Sequence, residues 1–173
     1  MLLFLDYDGV LHPDDVFLMK DGRVELRADG SLFMWAPILV ELVSDLDVQV
    51  VLSTSWVRHL GFKRALKALP EPLSSRVVGA TWHSAMKLSG PGHIIWDEQS
   101  RYEQIESYLK RLPSKQSWMA IDDDVAGWPD DKRDHLVRTD PRLGLSGAGV
   151  RRELVKRLSD GFKARLPEAL KTP

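Results

Sequence analysis

Two carboxylates stand two residues apart at the end of a short apolar run, where Leu2-Leu3-Phe4-Leu5 is followed by Asp6-Tyr7-Asp8-Gly9. A second run, Trp118-Met119-Ala120-Ile121, ends in Asp122-Asp123-Asp124, and a third, Val48 to Leu52, ends in Ser53-Thr54-Ser55. Singly, each has an ordinary explanation, because Asp-x-Asp-Gly is a common turn and Asp, Ser and Thr cap helices for structural reasons. Together they describe a chemistry. If the runs are neighbouring strands, Asp6, Asp8 and at least one of Asp122 and Asp123 meet at one edge, and carboxylates about 4 Å apart repel by about 4 kcal/mol at an effective dielectric of about 20. Such a cluster calls for a cation. The chain has no cysteine, so the donors are hard oxygens of the kind that suit Mg²⁺. Hydroxyls beside a helix start, as at Ser53, Thr54 and Ser55, suit phosphate oxygens.

The elements that must hold these groups can be read from the apolar runs. Leu2–Leu5, Val48–Leu52, Val77–Ala80, Trp118–Ile121 and Leu136–Val137 have the length and composition of buried parallel strands. Helical patterns lie between and after them, at Pro37–Leu46, Phe62–Leu69, Arg101–Leu112 and Val150–Leu166, the first with Pro at a permitted helix start. Alternation of strand and helix predicts an α/β doubly wound three-layer sandwich with a mainly parallel five-stranded sheet, whose ligands bind at the carboxyl edge of the strands. Between Val16 and Trp35, Asp21-Gly22 and Asp29-Gly30 sit among mixed apolar and charged residues and predict one or two β-hairpins, a small insertion over residues 12–36 after the first strand. Pro129 to Asp134 reads as a charged loop.

A length of 173 residues, 43% of them hydrophobic and 28% charged, predicts a single globular domain over 1–173 and excludes a disordered or fibrous chain. Without cysteine there are no disulfides, no thiolate catalysis and no Cys-based zinc or iron–sulfur site. No apolar run has the length of a membrane span, and Met1 leads into the first strand without a basic segment, so the expectation is a cytoplasmic protein. Charge is uneven: residues 1–131 carry a net −7 and residues 132–173 a net +6. The C-terminal basic helix, over residues 147–173, contains Arg151, Arg152, Lys156 and Arg157 and could track a polyanion, or simply present a solvated face.

Asp6-x-Asp8-Gly9-Val10-Leu11, Val50-Val51-Leu52-Ser53-Thr54-Ser55-Trp56, the basic residue opening the helix at Arg101, and Ile121-Asp122-Asp123-Asp124 together resemble motifs I to IV of the haloacid dehalogenase (HAD) superfamily, over about residues 2 to 145. The nearest likeness is to small bacterial HAD-domain proteins with little or no cap and an Arg-x-x-Glu-Ile helix, matched here by Arg101-Tyr102-Glu103-Gln104-Ile105 with Gln in place of Glu. The resemblance implies a Mg²⁺-dependent phosphatase working through an aspartyl-phosphate. Asp6 would be the nucleophile and Asp8 the general acid and base. The metal would sit on Asp6, the Asp8 backbone carbonyl, and Asp122 or Asp123. Thr54 would bind the phosphoryl group with Ser53 competing for that role, and Arg101 would supply the cation with Lys87 as its rival.

About 46 residues separate Thr54 from Arg101, too few for a large cap, so an open site is expected. Such a site admits a small phosphorylated molecule, a nucleotide or a nucleic-acid end. Two readings of other classes stand beside this one. One is a non-catalytic phospho-ligand or regulatory module on the same fold. The other is an acidic-cluster metal nuclease or receiver-type phosphoacceptor domain. His12 could assist a leaving group or serve structurally, while His59, His83, His93 and His135 share no metal-ligand spacing. Trp35, Trp56, Trp82 and Trp96 could include a stacking surface, or pack in the core.

Overall fold

A computed structural model describes residues 1–84, 86 and 94–163. Five parallel strands form the central sheet: β1 (Leu2–Leu5), β4 (Gln49–Leu52), β5 (Val77–Ala80), β6 (Trp118–Asp122) and β7 (Leu136–Arg138), in the spatial order β5-β4-β1-β6-β7. The strand nearest the start of the chain is thus the middle one, covered on both sides and both edges, and all four of its residues are buried. This accounts for an unbroken Leu-Leu-Phe-Leu run where a half-exposed strand would alternate.

Each face of the sheet has its own apolar cluster. Leu3, Leu5, Val50, Leu52, Met119 and Ile121 point to one side, packing with residues of α1 (Ala36–Val43), α2 (Ser55–Leu60), α3 (Phe62–Ala68) and α7 (Val150–Lys163). Leu2, Phe4, Val51 and Ala120 point to the other, where Ile105, Tyr102 and Tyr108 of α6 (Arg101–Lys110) cover them. Helices on both faces make the three-layer doubly wound architecture that the strand–helix alternation predicts. Two further short helices, α4 (Glu71–Ser74) and α5 (Ile95–Glu98), lie in the connections.

The differences from expectation are local. α1 stops at Val43 rather than Leu46. Ser44, Asp45 and Asp47 follow, and side chains of these types compete for backbone groups. The expected loop at Pro129 to Asp134 is largely a 3-10 helix, Asp130–His135. Within the insertion there is one hairpin, β2 (Val16–Leu18) against β3 (Val24–Leu26), turning at Asp21-Gly22. Asp29-Gly30 makes no second hairpin and leads into a turn that closes on the core.

That closure is specific. The Trp35 amide donates to the Leu11 carbonyl at 3.0 Å, so the insertion leaves and rejoins the domain at adjacent points. Just before it, Phe33 holds φ of 61°, the one positive-φ residue other than glycine among those described, a conformation costing on the order of 1–3 kcal/mol. Trp35 in turn lies on the loop after β7: a Cβ built at Gly144, whose φ is 46°, would sit 2.3 Å from the Trp35 ring and 2.5 Å from the Val10 carbonyl oxygen. Gly144→Ala combines positive-φ strain with overpacking against backbone, and should destabilise the domain by about 1–3 kcal/mol. Denaturant midpoints of the two proteins measure this directly.

Candidate active site

Parallel pairing without any offset builds the site. Leu5 of β1 is in register with Leu52 of β4 and Ile121 of β6, so the next residues, Asp6, Ser53 and Asp122, stand side by side at the carboxyl edge. The Asp6 amide donates to the Ile121 carbonyl at 3.2 Å and the Ser53 amide to the Leu5 carbonyl at 2.9 Å, extending the ladder by one step. Because side chains alternate along a strand, Asp6 and Asp122 fall on the face that α6 covers. Arg101 opens that helix.

Arg101, its side chain 13% exposed, packs against both carboxylates. Its Nη2 donates to Asp6 Oδ2 at 3.3 Å, and its Nε lies 3.0 Å from Asp122 Oδ2, an ion pair by distance in which neither of those two atoms makes a hydrogen bond. Its Nη1 donates to Gln104 Oε1 at 3.1 Å, and the Gln104 amide donates to the carbonyls of Trp96 and Gln99. A cation in the first turn of a helix opposes the helix dipole. Here the two carboxylates outweigh that cost, and the Ser100–Glu103 capping box satisfies the turn independently.

Asp123 completes the cluster. One oxygen from each of Asp6, Asp122 and Asp123 falls within a group whose atoms all lie within 4.8 Å of one another. Gly9 makes room for it: at φ of 66°, a Cβ there would be 2.5 Å from the Asp123 carboxyl. The turn is pinned from just beyond β7, where the Thr139 hydroxyl donates to the Gly9 carbonyl at 2.7 Å. The donor set is all carboxylate oxygen, and Asp122 Oδ2 is buried without a hydrogen bond, which fits a hard divalent cation.

Asp8 is separate from this group. Its side chain turns towards α2, where the Trp56 indole Nε1 donates to both carboxylate oxygens at 2.9 and 3.1 Å, and the Ser55 hydroxyl approaches at 3.5 Å. His12 meets Asp8 Oδ1 through Nε2 at 3.1 Å. Asp6, Asp8, Asp14, Ser55, Arg101, Asp123 and Asp124 line a cleft of about 470 Å³. An apolar groove of about 280 Å³ continues from Asp8 between the hairpin and α2, past Val16, Leu18, Val24 and Leu60.

The two hydroxyls that compete on paper differ in their surroundings. Thr54 caps α2, its Oγ1 accepting from the Trp56 amide at 3.3 Å, whereas the buried Ser53 hydroxyl has no hydrogen-bond partner. Lys87 lies outside the described residues. Trp35, Trp56, Trp82 and Trp96 are all buried, so they offer no open stacking face. In α7, Val150, Leu154 and Leu158 are buried; Arg151 pairs with Glu41, and Arg157 with Glu153 and Asp134. Part of the positive charge of that helix is therefore already matched. Sequence reasoning missed Trp56 and Thr139 as partners of the site, because a hydrogen bond from a core-type residue on another element leaves no local pattern.

Burial pushes the Asp6 carboxyl up to about 7, with Arg101 opposing the rise and Asp8 adding to it. Burial and then the charge of Asp14 raise Asp123 to about 6, while burial and Asp6 raise Asp122 well above the carboxylate range. Burial works against the Arg101 charge, but Asp6 and Asp122 outweigh it and hold the guanidinium protonated more firmly than usual. Each carboxyl therefore keeps its proton in the folded state after the unfolded chain has lost its own. Stability of the metal-free protein should fall as pH rises from about 4 to about 7. Since a divalent ion binds the ionised form, Mg²⁺ should raise the melting temperature by several degrees near pH 8 and little near pH 5. Calorimetry with Mg²⁺ and with chelator tests this, and an equal Mg²⁺ effect at both pH values would contradict metal binding by these carboxylates.

No helix among the described residues is long and apolar enough to cross a membrane. No curated protein matches the chain. The model of one family, described as the HAD domain in Swiss Army Knife RNA repair proteins, matches residues 2–150. That span covers both strand ends, the Arg101 helix and the insertion, and this chain belongs to that family of HAD domains.

Proposed function

We propose that the protein is a Mg²⁺-dependent phosphomonoesterase that works through an aspartyl-phosphate on Asp6, with a nucleotide or polynucleotide phosphate end as its substrate. Its main support is the register of β4, β1 and β6, which sets a buried carboxylate between a hydroxyl-bearing strand end and a second carboxylate, with Arg101 against both acids. The substrate class rests on the family's place in RNA repair proteins.

In the first step an Asp6 oxygen attacks phosphorus, the bond from phosphorus to the leaving oxygen breaks, and Asp8 protonates that oxygen. In the second step water attacks the phosphorus, Asp8 takes its proton, and the bond to Asp6 breaks to release inorganic phosphate. Two carboxylates two residues apart can divide these roles because their surroundings differ: Asp6 is buried on Arg101, while the Asp8 side chain is 20% exposed at the mouth of the groove. Asp6, the Asp8 backbone carbonyl, Asp122 and Asp123 would hold Mg²⁺. When bound, the ion supplies positive charge against the repulsion between Asp6 and the phosphoryl oxygens. Ser53, whose hydroxyl is not engaged, takes the phosphoryl-binding role in preference to Thr54, with Ser55 beside Asp8 near the leaving oxygen. Arg101 holds the nucleophile in place and faces the transferring group with its charge.

One observation favours a ligand-holding module without turnover, namely that Arg101 is already committed to Asp6 and Asp122. The nucleophile variant separates the two readings. Asp6→Asn keeps the shape and removes the attacking charge, so hydrolysis of an aryl phosphate and of phosphorylated oligonucleotides should fall ~1,000-fold or more while the melting profile stays cooperative. Turnover by the wild type that survives in Asp6→Asn would overturn the assignment of Asp6, and absence of wild-type turnover on both substrate types with Mg²⁺ would favour the module.

A further inference from the structure

His12 is fully buried, and both of its ring nitrogens are used. The Phe33 amide donates to Nδ1 at 3.2 Å, which leaves the ring proton on Nε2, and Nε2 then donates to Asp8 Oδ1 at 3.1 Å. Trp56, whose ring centroid lies 5.8 Å from that of His12, holds the same carboxylate with its indole N–H. Around these bonds the rings pack edge to face: Phe33 lies 4.9 Å from His12, 5.3 Å from Trp56 and 5.2 Å from Tyr7 between centroids. Phe33 is also the residue at φ of 61°. A strained backbone amide at the return of the insertion is therefore aimed at a buried histidine whose other nitrogen meets Asp8. Strain of this sort persists where surrounding structure over-determines it, and it gathers at working sites.

We propose that His12 is a positioning residue for Asp8: the N–H at its Nε2 fixes the direction in which the acid–base carboxylate points. This deepens the phosphomonoesterase reading and rests on it. A carboxyl group that rotates freely about its side-chain bonds reaches the leaving oxygen in few of its orientations. One held by two N–H donors on the same oxygen, from His12 and from Trp56, keeps a constant edge towards the groove. His12 touches neither phosphorus nor the leaving group, and acts through Asp8 alone.

Such a role separates from a merely structural one by its dependence on the leaving group. Departure of p-nitrophenolate from an aryl phosphate needs little protonation, whereas departure of an alkoxide from an alkyl phosphate needs a well-aimed acid. The measure is kcat/KM, which reports the steps up to loss of the leaving group and is insensitive to the later hydrolysis of the intermediate. His12→Asn retains an acceptor near the Nδ1 position and loses the donor to Asp8, so kcat/KM for an alkyl phosphate should fall ~30-fold or more beyond the fall for p-nitrophenyl phosphate. His12→Gln places a donor near the Nε2 position and should keep the ratio of the two rates within ~3-fold of wild type. Equal losses on both substrates in His12→Asn would overturn the proposal. If that variant does not fold, a ratio in His12→Gln as distorted as in Asp8→Asn overturns it instead. Wild-type protein that hydrolyses neither substrate would remove the phosphomonoesterase reading itself, an outcome distinct from equal losses in the variant.

Discussion

Negative charge brought together at the ends of β1 and β6 is the constraint on which the rest of the molecule depends. Asp6, Asp122 and Asp123 are drawn within reach of one another by strand pairing. Each close pair costs about 4 kcal/mol if both members ionise at about 4 Å in a medium of effective dielectric about 20. Arg101 offsets part of this from the start of α6, and the raised carboxyls absorb another part by holding protons. Neither suffices for a fully ionised cluster. The fold is therefore built around an electrostatic deficit that a divalent cation can fill, and the unbroken apolar strands beneath provide the packing energy to sustain it.

Much of this was legible in the sequence because burial and chemistry meet at sharp boundaries. Leu5-Asp6 and Ile121-Asp122 each change from full burial among apolar residues to a carboxylate in one step, so both strand ends and the cluster could be read directly. Arg101 was legible as a basic residue at a helix start. Its simultaneous contact with two acids was not, because that depends on which face of β1 and β6 the α6 helix covers. That Ser53 stands beside Asp6 while Thr54 caps α2 depends on the register with Leu5 and on where the helix starts. Thr139, reaching back to Gly9 across 130 residues, and Trp56, donating to Asp8 across 48, have no local signature at all. Short helices such as α4 and α5 carry too few turns to imprint a period.

Two carboxylates of one turn end in unlike surroundings because the strand stops between them. Asp6 belongs to the ladder and inherits its burial; Asp8 lies beyond it, where the chain bends at Gly9 and the side chain can reach α2. A helix dipole or a distant charge is not needed to differentiate them. The same short turn also decides what each neighbour can contribute: hydrogen-bond donors from α2 and the insertion serve Asp8, and metal-type oxygens from β6 gather on Asp6.

The stitch between Trp35 and Leu11 gives the insertion a property of its own. Its two ends are joined at the domain, so the peptide between them is a closed excursion whose length the sheet does not sense. Closure entropy grows only logarithmically, and doubling such a loop costs about 0.6 kcal/mol. The excursion is thus a modular socket. Segments beyond β2 and β3 could be lengthened, shortened or exchanged with little effect on the platform, provided that the return through Phe33 and Trp35 is kept, so that the surface facing an incoming molecule can diversify independently of the strand ends below it.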